Sequence, residues 1–425
     1  MRLPPHLAVR DGRLLIGSHD CVALAERFGT PLYVTDGDRI LHNYERYANA
    51  LKAHYPKVRV LYAAKANSNL SILRMLAIAG AGADVFSSGE IELALKAGMK
   101  PQDLLFNGSS KSRRDLALAV ERGVRISVDS LDELTQLEEM AASANRMVKI
   151  AFRVNPALEV PTHPKIATGL RTSKFGIPHE EVVSAYREAM RCPHLEPAGM
   201  HCHIGSQILE MAPFAEAARV MLRLAGELKD IGIHLEFIDL GGGLGIPYRR
   251  EQDPEVGPED YASAVMPHFL KGIRELGIEP ELWVEPGRFI VADSTLLLTR
   301  VNSVKHAHAN FANVDAGFNL LVRPVMYDAY HEVIAAGKAD QPATQVWTIA
   351  GPICESGDIL ARDRRMPELI AGDLLAILDA GAYGFVMSSQ YNARPRCAEV
   401  LLRGDEARLV RRAETMEDII STMVV

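Results

Sequence analysis

No stretch of the sequence approaches the roughly 20 consecutive apolar residues that a membrane-crossing helix requires, so no membrane partner is expected. Positive charge is not in excess. The 47 Lys and Arg face 54 Asp and Glu, a formal charge of −7 that offers no general attraction to nucleic acid. Cysteine is sparse: Cys21, Cys192, Cys202, Cys354 and Cys397 show no CxxC spacing. That argues against a disulfide framework or a zinc site and for a reducing compartment. The opening Met1–Leu7 segment has one basic residue, two prolines and no continuous apolar core, so it does not read as a secretory leader. A cytoplasmic location is the expectation.

What is present is the balance of a globular enzyme, 48% hydrophobic and 24% charged over 425 residues. That length suggests two domains, or one large barrel with an appendage. From about residue 58 a unit recurs, in which a short β-branched apolar run leads through a polar or Gly-containing turn into a segment with helical spacing. Eight such runs are legible: Val58–Ala63, Ala83–Phe86, Leu104–Asn107, Val124–Val128, Val148–Val154, Pro197–His203, Glu236–Leu240 and Leu282–Glu285. Eight strands alternating with helices predict a closed (β/α)8 barrel, with a doubly wound open sheet as the competing topology.

The intervening helices carry start signals, Ser87-x-x-Glu90 and Ser130-x-x-Glu133. Leu131, Leu134 and Leu137 repeat at helical spacing, as do Phe214, Met221, Leu224 and Leu228, and both sets read as core faces. After residue 288 the pattern turns to alternating apolar runs with Gly and Pro turns, a mostly β domain. Leu14–Ile16 and Pro31–Val34 look strand-like and are candidates to pair with it. The resulting division is 36–288 for the barrel and 1–35 plus 289–425 for the β domain.

A barrel demands that functional residues gather where strands end. Lys65, in Leu61-Tyr-Ala-Ala-Lys65-Ala-Asn67, closes an otherwise apolar strand, where burial would yield the free amine that Schiff-base chemistry needs. A structural lysine with a buried stem is an equal alternative. The Gly241-Gly242-Gly243-Leu-Gly245 turn and Ser206 offer bare N–H groups and a hydroxyl for an anion. His201 and His203 form a His-x-His pair with no third ligand nearby in sequence, so no metal is expected. His203, nearer the strand end, suits stacking on an aromatic cofactor.

Glu285-Pro-Gly287-Arg288 ends the eighth run with a carboxylate and a guanidinium. An ion pair within a turn is the plain reading; opposite a pyridine nitrogen, Glu285 would hold the ring protonated as an electron sink. Cys354 beside Glu355, in a Gly/Pro-bounded loop, is either a small hydrophobe or a proton donor. Arg323, Tyr327 and Tyr383 add one guanidinium and two phenols able to fix a carboxylate and a phosphate.

In chain order these segments, YAAKAN, THPKIATGLRTSKFG, HCHIGSQ, GGGLGIPY, EPGR, RPVMYDAYH, GPICESGD and GAYGFVMSSQYNARPR, span nearly the whole sequence. The set resembles the diaminopimelate decarboxylases, fold-type III pyridoxal-phosphate enzymes related to ornithine decarboxylase and alanine racemase. The resemblance implies an alanine racemase-like fold, a (β/α)8 TIM barrel with a mostly β domain built from both chain ends. It implies pyridoxal 5'-phosphate as cofactor, with Lys65 as the Schiff-base lysine, His203 on the ring and Glu285 on the pyridine nitrogen. Phosphate contacts would come from Ser206, Gly242, Gly243, Gly287, Arg288 and Tyr383. Substrate contacts would come from Arg288, Arg323, Tyr327, Glu355 and Tyr383, with Cys354 as proton donor.

The resemblance further implies a homodimer with shared active sites, the Cys354–Glu355 loop reaching into the neighbouring subunit, and decarboxylation of meso-2,6-diaminopimelate to L-lysine, the last step of lysine biosynthesis. A substrate with a second carboxylate and ammonium needs a fixed cation and a fixed anion, which Arg288, Arg323 and Glu355 could supply. The alternatives are a decarboxylase of an ornithine-like, arginine-like or carrier-bound amino acid, and a non-catalytic cofactor-binding relative. Racemase chemistry fits less well, because that class is expected to place an arginine where this chain has Glu285. One departure is Leu320, where many relatives have Asp after the DAG(F/M)N turn, and it bears on pocket shape.

Overall fold

The structure is a computed structural model that describes residues 2–158, 160, 168–169 and 173–424. The chain forms two compact units, one of residues 43–246 and 256–289, the other of residues 1–42, 247–255 and 290–425.

The first unit is a closed parallel barrel. Its strands are β1 (Val58–Ala63), β2 (Gly82–Val85), β3 (Leu104–Phe106), β4 (Arg125–Val128), β5 (Val148–Asn155), β6 (Leu195–Cys202), β7 (Phe237–Asp239) and β8 (Glu281–Val284). Each pairs in parallel with the next, and β8 returns to β1 through Leu282 opposite Val58, which closes the ring. The sequence-read runs thus fall on the eight barrel strands, with ends differing by at most two residues.

Ser87 and Ser130 cap their helices, each side chain accepting from the N–H three residues on, of Glu90 and Glu133. The reciprocal half of each capping box is absent. Glu90 accepts instead from the Phe86 N–H at 2.7 Å, and Glu133 turns inward to pair with Lys111. Leu131 is 45% exposed and so lies off the core face on which Leu134 and Leu137 are buried, whereas Phe214, Met221, Leu224 and Leu228 are all buried.

Inside the barrel, Leu61, Leu105, Ala151, Ala198, Phe237 and Trp283 pack together. The Phe237 and Trp283 rings stack 3.8 Å apart at 10°, a contact that contributes about 1 kcal/mol beyond simple burial. Gly199 on β6 makes room for it, since a Cβ there would stand 2.1 Å from the Phe237 ring.

Strand periodicity then decides what lines the barrel mouth. Side chains two residues apart share a face, so the inward series Leu105, Ala151, Phe237 and Trp283 continues toward the strand ends as Asn107, Arg153, Asp239 and Glu285, and Lys65 follows β1 on a one-turn helix. Apolar layers fill the middle and polar groups crown the carboxyl end.

In the second unit, the strand Leu32–Asp36 lies between Thr295–His306, antiparallel to it, and Ala398–Arg403, parallel to it. The Pro31–Val34 run therefore joins the C-terminal sheet. Leu14–Ile16 does not; it belongs to a separate three-stranded sheet with Leu7–Arg10 and His19–Asp20, although the Leu14 N–H reaches the Ala336 carbonyl at 2.8 Å. A core around Tyr33, Leu297, Trp347, Ile349 and Leu375 fills this unit. Leu320 packs in that core, 2% exposed, and its carbonyl accepts the Tyr33 hydroxyl at 2.7 Å. Leu320, read from the sequence as bearing on pocket shape, is a core side chain.

Candidate active site

The mouth of the barrel gathers most of the polar residues singled out in the sequence. Lys65 sits on a one-turn helix directly after β1, with its ammonium on Oδ2 of Asp84 from β2 and 4.4 Å from the centre of the Phe86 ring. Asp84 is fully buried, and burial together with the Glu285 charge pushes its pKa up against the pull of Lys65. Asn107, at the end of β3 and also fully buried, donates from its amide to Asp84 Oδ1 at 2.6 Å and to Glu285 Oε1 at 2.7 Å.

Glu285 follows β8. Burial alone would raise its pKa, but His201 and Lys65 outweigh that and hold it down at about 2, so the site contains a fixed negative charge. His201 stands with Nε2 3.3 Å from Glu285 Oε2, while its Nδ1 meets the Ser127 hydroxyl at 2.9 Å. Asp239 is pushed well above the carboxylate range by burial and by Glu285, and it accepts the Gly241 N–H at 2.7 Å. His201, Asp239 and Glu285 bring a ligand atom each to within 4.8 Å of one another. The third member of this set comes from β7, which is why the His-x-His spacing alone gave no hint of it.

His203 lies just beyond β6. Burial, helped by Lys65 and Arg153, lowers its pKa well below the usual imidazole value, and its Nδ1 accepts the Gly242 N–H at 3.1 Å. The ring is thus neutral, with the proton on Nε2. Gly242 is required by close approach: a Cβ there would stand 2.0 Å from the Glu285 carbonyl oxygen. Arg288, 6% exposed, donates through Nη2 to the Ser206 hydroxyl at 2.9 Å, placing a cation and a hydroxyl side by side. Lys65, His203, Ser206, Gly242, Gly243, Glu285, Gly287 and Arg288 all belong to this unit.

The remaining candidates lie in the β unit. Arg323 is buried, donates to His331 Nε2 at 2.9 Å and lies over the Tyr248 ring at 4.7 Å. Tyr327 ends the same short helix, Arg323–Tyr327, and Tyr383 holds a left-handed backbone at φ 58°. Cys354 and Glu355 are exposed on one loop. Tyr391 donates to Glu355 Oε1 at 2.7 Å, and the Asn392 amide donates to Cys354 Sγ at 3.2 Å. Part of the 162–176 motif lies outside the described residues.

Asp84, Asn107, Arg153 and Asp239 were not singled out in the sequence. Their signal was a polar side chain at the carboxyl end of an otherwise apolar strand, the same signal that marked Lys65.

The pyridoxal-binding domain model of the pyridoxal-dependent decarboxylases matches residues 39–292. The chain is 50% identical over 410 residues to a diaminopimelate decarboxylase from Archaeoglobus fulgidus, covering 96% of each chain, and 45% identical over 419 residues to one from Methanothermobacter thermautotrophicus, covering 98% of this chain and 97% of the other. This chain belongs to the diaminopimelate decarboxylase family. Its fold is also that of a solved family member, diaminopimelate decarboxylase from M. jannaschii in co-complex with L-lysine, at a TM-score of 0.94 and 39% identity, with 99% of this chain and 98% of that one covered. Pyridoxal phosphate is the family's cofactor, and the mouth fits it: an amine on one side, an ionised carboxylate opposite, a neutral imidazole, and a guanidinium with a hydroxyl for the phosphate.

Proposed function

We infer that this protein decarboxylates meso-2,6-diaminopimelate to L-lysine and carbon dioxide, using pyridoxal phosphate held at Lys65. The observation that carries this reading is the likeness to diaminopimelate decarboxylases along nearly the whole chain, from the barrel through the β unit. Pyridoxal phosphate, when bound, supplies the electron sink that accepts the pair left by the departing carboxylate.

The chain's own residues do the rest. Lys65 would hold the cofactor through its amine, with Asp84 as the ammonium's counter-ion. Glu285, kept ionised by His201 and Lys65, would hold a proton on the pyridine nitrogen. His203, neutral and fixed by the Gly242 N–H, would hold the ring by stacking. Ser206, Gly242, Gly243, Gly287, Arg288 and Tyr383 bind the phosphate. Arg288, Arg323, Tyr327, Glu355 and Tyr383 contact the substrate, with Arg288, Arg323 and Glu355 answering its second carboxylate and ammonium, and Cys354 delivers the proton that replaces carbon dioxide.

A homodimer completes the site, with the Cys354–Glu355 loop of each subunit serving the other. The exposure of that loop in the single chain supports this, and the five free cysteines support a cytoplasmic location.

Carbon dioxide release from a panel of free amino acids tests the reading. Turnover is expected with meso-diaminopimelate. Good turnover of ornithine, arginine or lysine with none of meso-diaminopimelate would overturn it.

A further inference from the structure

One unbroken line of polar contacts crosses the barrel mouth. It runs from the Lys65 ammonium to Asp84 Oδ2, from Asp84 Oδ1 to the Asn107 amide at 2.6 Å, and from that amide to Glu285 Oε1 at 2.7 Å. It continues from Glu285 Oε2 to His201 Nε2 at 3.3 Å and from His201 Nδ1 to Ser127 Oγ at 2.9 Å. Its ends are the proposed cofactor lysine and the bed beneath the proposed ring-nitrogen carboxylate. Asn107 joins the two halves, hydrogen-bonded to a carboxylate of each.

We propose that Asn107 is a positioning residue that couples the charge state of the Lys65 amine to that of Glu285 by holding Asp84 and Glu285 ionised side by side. The proposal rests on the reading of Lys65 and Glu285 given above. Two buried carboxylates close together repel, and the ordinary outcome is that one takes up a proton. A primary amide opposes this because its two N–H bonds diverge, so one goes to each carboxylate as a charge-assisted hydrogen bond. Having no titratable proton, it adds no charge of its own.

The Asn107 carbonyl supports this assignment. Its oxygen is buried and has no hydrogen-bond partner in the structure, so the side chain is satisfied only on its donor half. Turning the amide over would aim that oxygen at two carboxylates, which fixes the orientation from the network. The charges divide accordingly. Glu285 is held at about 2, while Asp84 is pushed upward, so Asp84 is the carboxyl that protonates first if the shared donor is lost.

The consequence falls on Lys65. The ionisable groups facing its amine are Asp84 from β2, Glu90 from the helix that follows, His203 after β6 and Glu285 after β8, with Arg153 of β5 acting on the same carboxylates. Asp84 Oδ2 is in direct contact with the amine. Once Asp84 is neutral, the negative charge in contact with the ammonium is gone, and the amine gives up its proton at lower pH.

The test titrates Lys65 in the full-length protein stripped of cofactor. Reductive methylation by formaldehyde and cyanoborohydride is followed across pH, the Lys65 peptide is quantified by mass spectrometry, and surface lysines serve as internal references. Asn107→Leu, which keeps the volume and removes both donors, and Asn107→Ala are each expected to move the Lys65 midpoint down by about one pH unit, roughly a tenfold rise in free amine below the midpoint. Asp84→Asn should shift it in the same direction, and adding Asn107→Leu to Asp84→Asn should shift it little further.

An unchanged Lys65 midpoint in folded Asn107 variants would overturn the proposal, as would a full additional shift in the Asp84→Asn background. Asn107→Ser, retaining one donor, covers the case in which the larger changes unfold the chain. A smaller downward shift is expected there, and no shift counts against the coupling. Failure of the underlying functional reading looks different: the parent protein would not trap pyridoxal phosphate on Lys65 under borohydride, whatever the amine titration shows.

Discussion

Glu285 Oε2 stands 3.3 Å from His201 Nε2, the two side chains being 2% and 1% exposed. A carboxylate so enclosed persists only because its neighbours keep it charged. Its pKa in the folded chain, about 2, lies below the ordinary 4.5. A depressed acid stabilises the fold at pH values above its unfolded pKa, and that contribution is lost as pH falls from about 4.5 toward 2. Replacing Glu285 with Gln should therefore lower the melting temperature clearly at pH 7 and by less at pH 3. A thermal-shift series across that range checks the convergence, and a gap that widened on acidification would contradict it.

Lys111 is a second buried charge, with no part in the proposed chemistry. Its ammonium spends all three protons on Gly108 O, Ser127 O and Glu133 Oε1, each at 2.7 Å, and its side chain is 1% exposed. Removing one partner of such a pair strands the other, at a cost of about 3–5 kcal/mol. Lys111→Met is expected to destabilise by that order, and Lys111→Met with Glu133→Leu by much less. Denaturant titrations of the two single variants and the double variant measure the coupling; additive losses would argue against it.

At Gly242 the backbone leaves no space for a methyl group, because the Glu285 carbonyl lies 2.0 Å from where the Cβ would be. Gly242→Ala must displace the turn that carries the N–H to His203 and the strand end that carries Glu285. Retention of pyridoxal phosphate should weaken at least about tenfold, or about 1.4 kcal/mol, measured by equilibrium dialysis. Gly89→Ala, where the nearest atom is Ser87 Oγ at 3.7 Å, is the matched control and should bind as the parent does.

Shared sites are testable by mixing. Lys65→Ala and Cys354→Ala should each be nearly inactive alone. If each subunit lends its Cys354 loop to the other, half of a randomly reassembled mixture is hybrid and each hybrid has one intact site, giving about a quarter of parental activity. Assay of the mixture after subunit exchange decides, and no recovery would mean that each chain supplies both groups to its own site.

Much of this was legible in the chain. The eight apolar runs and their order marked the barrel, because a buried parallel strand needs a continuous apolar stretch and a helix must return the chain to the same end. Lys65 and Glu285 stood out because a charge interrupting such a run needs a reason. Less legible were interactions that depend on partners far apart in sequence. Ser130-x-x-Glu133 reads as a capping box, but a buried lysine from another loop offers Glu133 a charged partner and takes it. Leu320 reads as a pocket variant, yet the β-unit core encloses it.

The sequence by itself determined which residues face the barrel interior, since side chains alternate along a strand and the carboxyl ends of eight strands form one rim. What only the tertiary structure decided is which of those rim residues meet. Asn107 and Glu285 are 178 positions apart, and nothing local marks either as the other's partner. Closure of β8 onto β1, with β2 and β3 next in the ring, puts an amide between two carboxylates, and at that range burial makes the contact govern which of them keeps its proton.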